Sequence, residues 1–282
     1  MGRHRSGVEE DGAVTTPVPR PPELRADCSS CFGLCCVVLP FSKESGFGVT
    51  KPGGVPCLNL ADDDRCRIHA TLRPDGWPGC TVFECFGAGQ QVSQVTYAGV
   101  SWRDPSSPPH VLSEMGAVLS VMRHLHEMLV HLTAAERRAP GTGSALAARV
   151  TALTAGSPDE LLGLDLDALY DEVGTVLSGV SATVRARWPD TVDHTRADLA
   201  GHDLRDQDLC GAMLRGAVLI AADLRGCVLA DADLLGADAR DADVRDADLS
   251  EALFLTQPQV NAMRGGPSTA LPTDMARPEH WA

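Results

Sequence analysis

Lysine is almost absent from this 282-residue chain: Lys43 and Lys51 stand against 22 arginines. Acids outnumber bases 38 to 24, giving a net charge of -14. Such a chain lacks the basic patch that phosphate backbones require, so direct nucleic-acid binding is not expected. Aromatic residues are scarce as well, with four Trp, two Tyr and six Phe. Long apolar runs are missing: the best, Cys31 to Phe41, falls short of the roughly 20 residues of a membrane helix, so no membrane role is expected. Met1 to Arg25 is polar and proline-rich, without the apolar segment of a secretory signal, and the expected location is cytoplasmic. What the chain does have is ten cysteines. In a reducing compartment these point to metal or redox chemistry rather than to a disulfide framework.

Neither cysteine nor charge is spread evenly. Eight of the ten cysteines lie between Cys28 and Cys85, together with Phe32, Phe41, Phe47, Trp77, Phe83 and Phe86. Residues 191–256 hold fourteen acids and six arginines, over half of the excess charge. Between these regions the sequence turns helical. From His110 to about Arg138, apolar residues recur at steps of three and four, from Val111 and Met115 to Leu129 and Leu132, which is one face of an amphipathic helix. Ala139-Pro-Gly-Thr-Gly-Ser144 breaks it, Ser157-Pro-Asp-Glu160 reads as a capping box, and a second helix is expected from about Asp167 to Trp188. The expected organisation is a disordered lead (1–27), a Cys-rich metal-binding domain (28–104), a helical connector (105–190), a repeat domain (191–256) and a C-terminal cap segment (257–282).

The candidate metal ligands are Cys28, Cys31, Cys35, Cys36, Cys57, Cys66, Cys80 and Cys85. A C-x2-C pair such as Cys28/Cys31 puts two thiolates on one tight turn, as a tetrahedral metal needs. Cys35 and Cys36 are adjacent and expected to point apart, bridging two sites or ligating on opposite sides. Eight thiols suffice for two four-ligand sites, or for one cluster plus a structural zinc, and the spacing does not pair them. The alternatives are a disulfide scaffold or a scatter of buried free thiols. The opening that ends in Cys35-Cys36, with Pro56-Cys57-x-x-Leu60, Arg65-Cys66-x-Ile68, Arg73-Pro74, Cys80 and Phe83, resembles the YkgJ-like family over residues 28–86. That family has a CxxCxxCC signature and is described as zinc- or iron-chelating. The resemblance implies zinc or iron as cofactor, an iron–sulfur cluster being one form that iron would take. Here x3 rather than x2 precedes the paired cysteines, the Arg73-to-Cys80 interval is longer, and His69, at a position often aromatic in the family, is a reserve ligand. Related motifs occur in a flagellin lysine methylase that depends on an iron–sulfur centre, which implies an enzyme as the alternative.

From Ala197 the chain has a period of five: ADLAG, HDLRD, QDLCG and on to ALFLT, twelve units without a gap. The third residue is Leu in nine units and the first is Ala in nine. Five steps of about 100° would smear a helical stripe around its cylinder, and a strand alternates with period two. The pattern resembles the pentapeptide-repeat family, which implies a right-handed quadrilateral β-helix with four units to a turn. Twelve units would make three coils, a rod near 15 Å long at about 4.8 Å per coil. Outward positions should then stack Asp203, Asp223 and Asp243 beside Arg205, Arg225 and Arg245. Met213, Leu235, Leu253 and Leu255 form an apolar outer face, expected to meet the middle helices, a protein partner or a second copy. Some members of the family mimic DNA and bind gyrase, but a 15 Å rod spans only about four or five base pairs. Cys210 and Cys227 read as incidental small residues.

The remaining candidates are weak. Gly87-Ala-Gly89 lacks the rest of a dinucleotide fingerprint, Asp62-Asp-Asp64 reads as a solvated turn, and His124 and His131 share a helix face expected to be solvated. The fold class expected is multi-domain α+β, with a small Cys-rich metal-binding domain, a helical connector and the C-terminal β-helix. The function expected is metal-dependent binding or scaffolding. An iron–sulfur or zinc enzyme is the alternative, and a DNA-mimic regulator of gyrase the weaker one.

Overall fold

The computed structural model describes residues 23–205 and 207–281, so most of the expected disordered lead lies outside the described residues. Its end is anchored: the Asp27 N–H donates to Gln90 Oε1 at 3.1 Å, and Gln90 Nε2 donates to the Arg25 carbonyl at 2.7 Å. Eight α-helices are present among the described residues: α1 (Leu34–Val38), α2 (Pro78–Val82), α3 (Ala88–Gln90), α4 (Val111–Arg138), α5 (Ser144–Leu153), α6 (Pro158–Leu162), α7 (Leu166–Arg185) and α8 (Gln257–Ala262). The capping box at Ser157 forms, with Glu160 Oε2 accepting from the Ser157 N–H at 2.8 Å. Asp165 caps α7 by accepting from the Ala168 N–H at 3.0 Å.

Helix α4 is the axis of the helical layer and packs against α1, α3, α5, α6 and α7. Because neighbours surround it, its burial extends beyond the stripe set by Leu and Met. His126 is fully buried with Nδ1 2.6 Å from the Phe86 carbonyl, and His131 is buried with its ring edge-on to Phe254. The solvated face expected for His131 is therefore corrected: it meets the repeat region.

The expected α+β class with a quadrilateral β-helix is also corrected. Among the described residues there is no strand and no sheet. The repeat runs as a succession of turns whose coils meet at isolated parallel bridges twenty residues apart, among them Asp203↔Asp223, Asp223↔Asp243 and Asp233↔Leu253. The physical reason lies in the five-residue unit. Each unit has one residue in pairing geometry before the chain turns a corner, so pairs never run in series and no strand develops.

The sequence explains this turn stack position by position. First-position Ala and third-position Leu fill its interior, with Ala212, Leu214, Ala217, Leu219, Ala222 and Leu229 fully buried. At the second position, Asp Oδ1 accepts the backbone N–H two residues on, as Asp203 does from Arg205 (3.2 Å) and Asp248 from Ser250 (2.9 Å). These are Asx turns, which give the corner amide an acceptor. The fifth position adopts left-handed φ at Gly201, Gly211, Gly216, Ala221, Gly226, Asp231, Gly236, Asp241 and Asp246. Glycine and aspartate tolerate that region best, which accounts for every one of these residues except Ala221. Indole rings close both ends: Trp188 lies against Gly211, and buried Trp281 lies against Gly265.

The apolar outer face of the stack is covered by the same chain. Leu253 and Leu255 are buried, and half-buried Leu235 packs with the cluster that contains α4 and α7. Leu255 is buried in the cluster of the stack itself, Met213 is half-buried, and partner docking or self-association through Leu235 and Leu253 is thus replaced by an internal contact. Buried charges fix its register. Asp231 accepts from Arg138, from Arg187 (2.5 Å) and from Trp188 Nε1 (2.8 Å). Arg215 pairs with buried Asp233 at 2.7 Å and donates to Ser178 Oγ at 2.8 Å.

Candidate metal centre

The eight candidate ligands come from turns and short helices that a long apolar pattern could not have marked. All ten cysteines of the chain are free thiols, so the disulfide alternative is not realised. Cys28 is exposed, Cys57 buried, and the other six of the N-terminal eight are half-buried. They divide by packing. Cys31 and Cys85 lie with Leu34 and Ala88 in the cluster built on α4. Cys36, Cys57 and Cys80 lie with Val37, Phe41 and Trp77 in a separate cluster. The Cys57 N–H donates to the Cys36 carbonyl at 2.9 Å, and a bridge between Leu60 and Cys66 brings Cys66 to the same turn.

Cys35 and Cys36 on α1 stand where the two groups meet. Their sulfurs are 4.0 Å apart, in contact rather than pointing apart. A shared proton drives the Cys35 thiol up and the Cys36 thiol down, the latter aided by the charge of Lys51. Although Cys28 is exposed as a residue, desolvation of its sulfur among the neighbouring side chains pushes it up to about 12, with the charges of Cys85, Cys31 and Cys36 adding to the shift. Burial likewise pushes Cys80 up to about 12, with Cys36, Cys57 and Cys66 as its charged neighbours.

Several backbone amides offset that penalty. The N–H groups of Gly33 and Leu34 hydrogen-bond the Cys31 sulfur, and those of Gly87 and Gly89 the Cys85 sulfur. In the other group, Asn59 donates to Cys57 at 3.5 Å and Ile68 to Cys66. Hydrogen bonds to sulfur favour the thiolate, the form that binds metal. Lys51, one of two lysines in the chain, is only 7% exposed. Its Nζ donates to the carbonyls of Leu39 (2.5 Å), Val37 (3.2 Å) and Pro52 (3.3 Å) and lies 4.4 Å from the centre of the Phe41 ring. Burial lowers its pKa, and the charges of Cys57, Cys36 and Cys35 oppose that shift.

In donor chemistry and number these residues fit zinc or iron. Glycine at position 89 lets the thiols close on the backbone: a Cβ there would stand 2.8 Å from the Cys31 sulfur and 3.8 Å from that of Cys85. The Cys35 and Cys36 sulfurs are at contact distance, and among the described residues no three His, Cys, Asp or Glu side chains stand close enough to hold a metal ion. His69 sits in a short 3-10 turn beside Arg73 and Pro74, at the edge of a different cavity. Cys210 and Cys227 belong to the turn stack, with the Cys227 thiol 3.3 Å from the Leu204 carbonyl.

A cavity of about 550 Å³ opens beside this region, between the 82–86 loop, α4, α7 and the stack. Phe83, Phe86 and Met128 supply apolar walls, and Glu84, Glu127 and Tyr170 supply polar ones. Burial raises the Glu84 carboxyl above its usual range. The cavity escaped the sequence reading because its walls come from four separate segments. The one local signal is an acid, Glu84, next to a candidate ligand, Cys85.

Among known proteins, the family described as "Pentapeptide repeats (8 copies)" matches residues 195–225 and 217–254. A Bacillus subtilis (strain 168) protein, described as "Uncharacterized protein YybG", is 49% identical over 269 residues, covering 92% of this chain and 95% of its own length. That similarity therefore spans both the thiol-rich region and the repeats. Among the described residues no helix is long and apolar enough to cross a membrane.

Proposed function

That this chain belongs to one family with the Bacillus subtilis YybG protein is the premise from which we propose a function: it is a thiol-rich metal-binding protein whose pentapeptide repeats form a protein-docking platform. The observation that carries the metal reading is the gathering of eight free thiols within residues 28–85, four of them with sulfurs that accept backbone N–H groups. The resemblance of residues 28–86 to the YkgJ-like family supports zinc or iron as the ion. A cytoplasmic location suits the same reading, since thiols kept reduced remain available to metal.

The docking role falls to the polar outer faces of the stack, because the apolar face is occupied by α4 and α7. Solenoid surfaces of this kind serve as binding platforms, with specificity set by the outward side chains. Purification of the full chain without oxygen, followed by metal and acid-labile sulfide analysis, tests the metal reading. Colourless protein containing zinc supports a structural centre, and brown protein containing iron and sulfide supports a cluster. Protein free of both overturns the metal reading.

A second reading, an enzyme, is favoured by one observation: the cavity walled by Glu84 lies one residue from Cys85. A centre at Cys85 would border a pocket large enough for a small substrate. The residues that this chain would contribute are Glu84 and Tyr170, as hydrogen-bonding groups on the pocket wall.

A further inference from the structure

We infer that the cavity between the 82–86 loop, α4, α7 and the turn stack binds a small organic cation: a protonated primary amine carried on an apolar body. This deepens the second reading above by naming the class of molecule that its pocket takes, and it requires no metal.

The polar groups on the cavity wall carry it, because most of them are already committed. Gln259 accepts from the Thr256 N–H and hydroxyl at 2.8 Å each, and its Nε2 donates to the carbonyls of Leu234 and Ala237 at 2.9 Å. The Tyr170 hydroxyl lies 2.5 Å from His124 Nδ1. Arg123 pairs with Glu127 one turn along α4 at 3.6 Å, so these two charges offset each other. Two wall residues are left over, Glu84 and His131. The half-buried Glu84 carboxylate accepts backbone N–H groups, that of Phe86 at 2.8 Å, and among the described residues no basic side chain pairs with it. His131 is only 9% exposed, and its Nδ1 has no hydrogen-bond partner among the described residues.

Both leftover groups call for a donor. A carboxylate only accepts, and burial keeps the His131 imidazole neutral at pH 7, so one of its nitrogens accepts as well. Glu84 and Glu127 against Arg123 leave the wall with one uncompensated negative charge. A carboxylate withdrawn from water without a partner is costly, and a ligand cation would supply that partner. An anion of the same size would meet Glu84 with only the already paired Arg123 to receive it. The rest of the wall sets the body of the ligand. Phe83, Phe86, Met128 and Leu177 line the cavity, and its volume of about 550 Å³ lies within the range of small-molecule sites. Aromatic rings also attract a cation that approaches their faces. Gly174 keeps the α7 side open, since a Cβ there would meet nothing within 4 Å.

The test is calorimetric titration of the full-length protein at pH 7 with phenethylamine and hexylamine, each against its alcohol and carboxylate counterparts. At least one amine should bind tighter than both counterparts by about tenfold or more, the scale of one charge-assisted hydrogen bond. Glu84→Gln keeps an oxygen for the Phe86 N–H and removes the charge. It should weaken the amine by about tenfold and leave the alcohol unchanged. Gly174→Leu fills the cavity from a helical position with space for the added side chain, and it should abolish binding while the circular dichroism stays that of the wild type. Failure of both amines to bind, equal affinity for amine and alcohol, or binding that survives Gly174→Leu overturns the inference. The enzyme reading is judged separately, by the fate of the amine. An amine that binds and is recovered unchanged from protein purified without oxygen supports the site and overturns an enzyme acting on this class of molecule.

Discussion

The thiol-rich region and the turn stack reach order by opposite routes. In the stack every unit repeats the same arrangement: an inward Ala and Leu, an Asp capping the corner, and a residue at left-handed φ. Its interior is one continuous cluster from Leu199 to Met263, closed by Trp281. Residues 28–86 have no such periodic source of burial. Their own cluster contains only Val37, Phe41, Cys57, Leu60 and Trp77 as buried members, held among turns and short helices. A segment of that kind needs a staple, and eight thiols are the material for one. The comparison teaches that one chain can pair a core filled by its own repeats with a segment that buries few apolar side chains of its own.

The largest effect should come from metal removal. Metal binding to a small thiol site contributes on the order of 10 kcal/mol of folding free energy. Chelation should therefore strip hydrogen-exchange protection from residues 28–86 and leave the amides of 212–249 as slow as before. Equal loss in both regions would break the comparison, because the stack would then depend on the same staple.

An intermediate effect is expected at the joint between the helical layer and the stack. Burial holds the pKa of His131 at about 4, below the ordinary 6.5, against the opposing pull of Asp233. As pH falls below 6.5 the unfolded chain takes up a proton that the native site resists, so stability is lost progressively down to about pH 4. The depression corresponds to roughly 3 kcal/mol once both forms are protonated. Denaturant titrations at pH 7 and pH 4 should show that loss, and His131→Leu should remove most of it. The carboxylates act in a different window: hydrogen bonding by Arg205 holds Asp203 at about 2, so its contribution fades only as pH falls toward that value. An undiminished acid sensitivity in the His131 variant would place the weak point elsewhere.

How far the molecule was legible varies with the range of the interactions. The run from Val111 to Leu132 announced α4, and Ser157 and Glu160 announced their capping box, because both signals are local. The burial of His126 and His131 was not legible, since it depends on Phe86 and Phe254, far away in sequence. In the repeats, the period gave the stacking of coils and the inward positions. It did not show that corners would interrupt every strand, or that Gly and Asp recur at the fifth position because φ is positive there. For the thiols, residue type and clustering were plain from the sequence. Their grouping was not, because it is set by α1, by the turn at Cys57–Leu60 and by the approach of Cys85 to Cys31 across more than fifty residues.

The smallest effect bears on what the acidic residues of the stack are for. A display of anionic charge would make each outward Asp valuable for its sign. The geometry instead gives Asp223 two local tasks: Oδ1 accepts the Arg225 N–H at 3.2 Å, and the carboxylate holds the Arg225 side chain at 2.7 Å. Arg205 and Arg225 also reach across coils, to Asp223 at 3.4 Å and to Asp243 at 3.8 Å, so much of this charge is already neutralised. Asp223→Asn keeps a side-chain oxygen for the corner and removes the charge; Asp223→Ala removes both. Exposed ion pairs contribute about 0–1 kcal/mol, and a hydrogen bond about 1 kcal/mol. The Asn variant should therefore unfold close to the wild type, with a difference that shrinks in high salt, while the Ala variant should lose about 1 kcal/mol regardless of salt. If Asn and Ala were equally destabilising and both differences vanished in salt, charge rather than corner capping would explain the aspartates. The stack would then resemble the thiol-rich region in depending on electrostatic pairing.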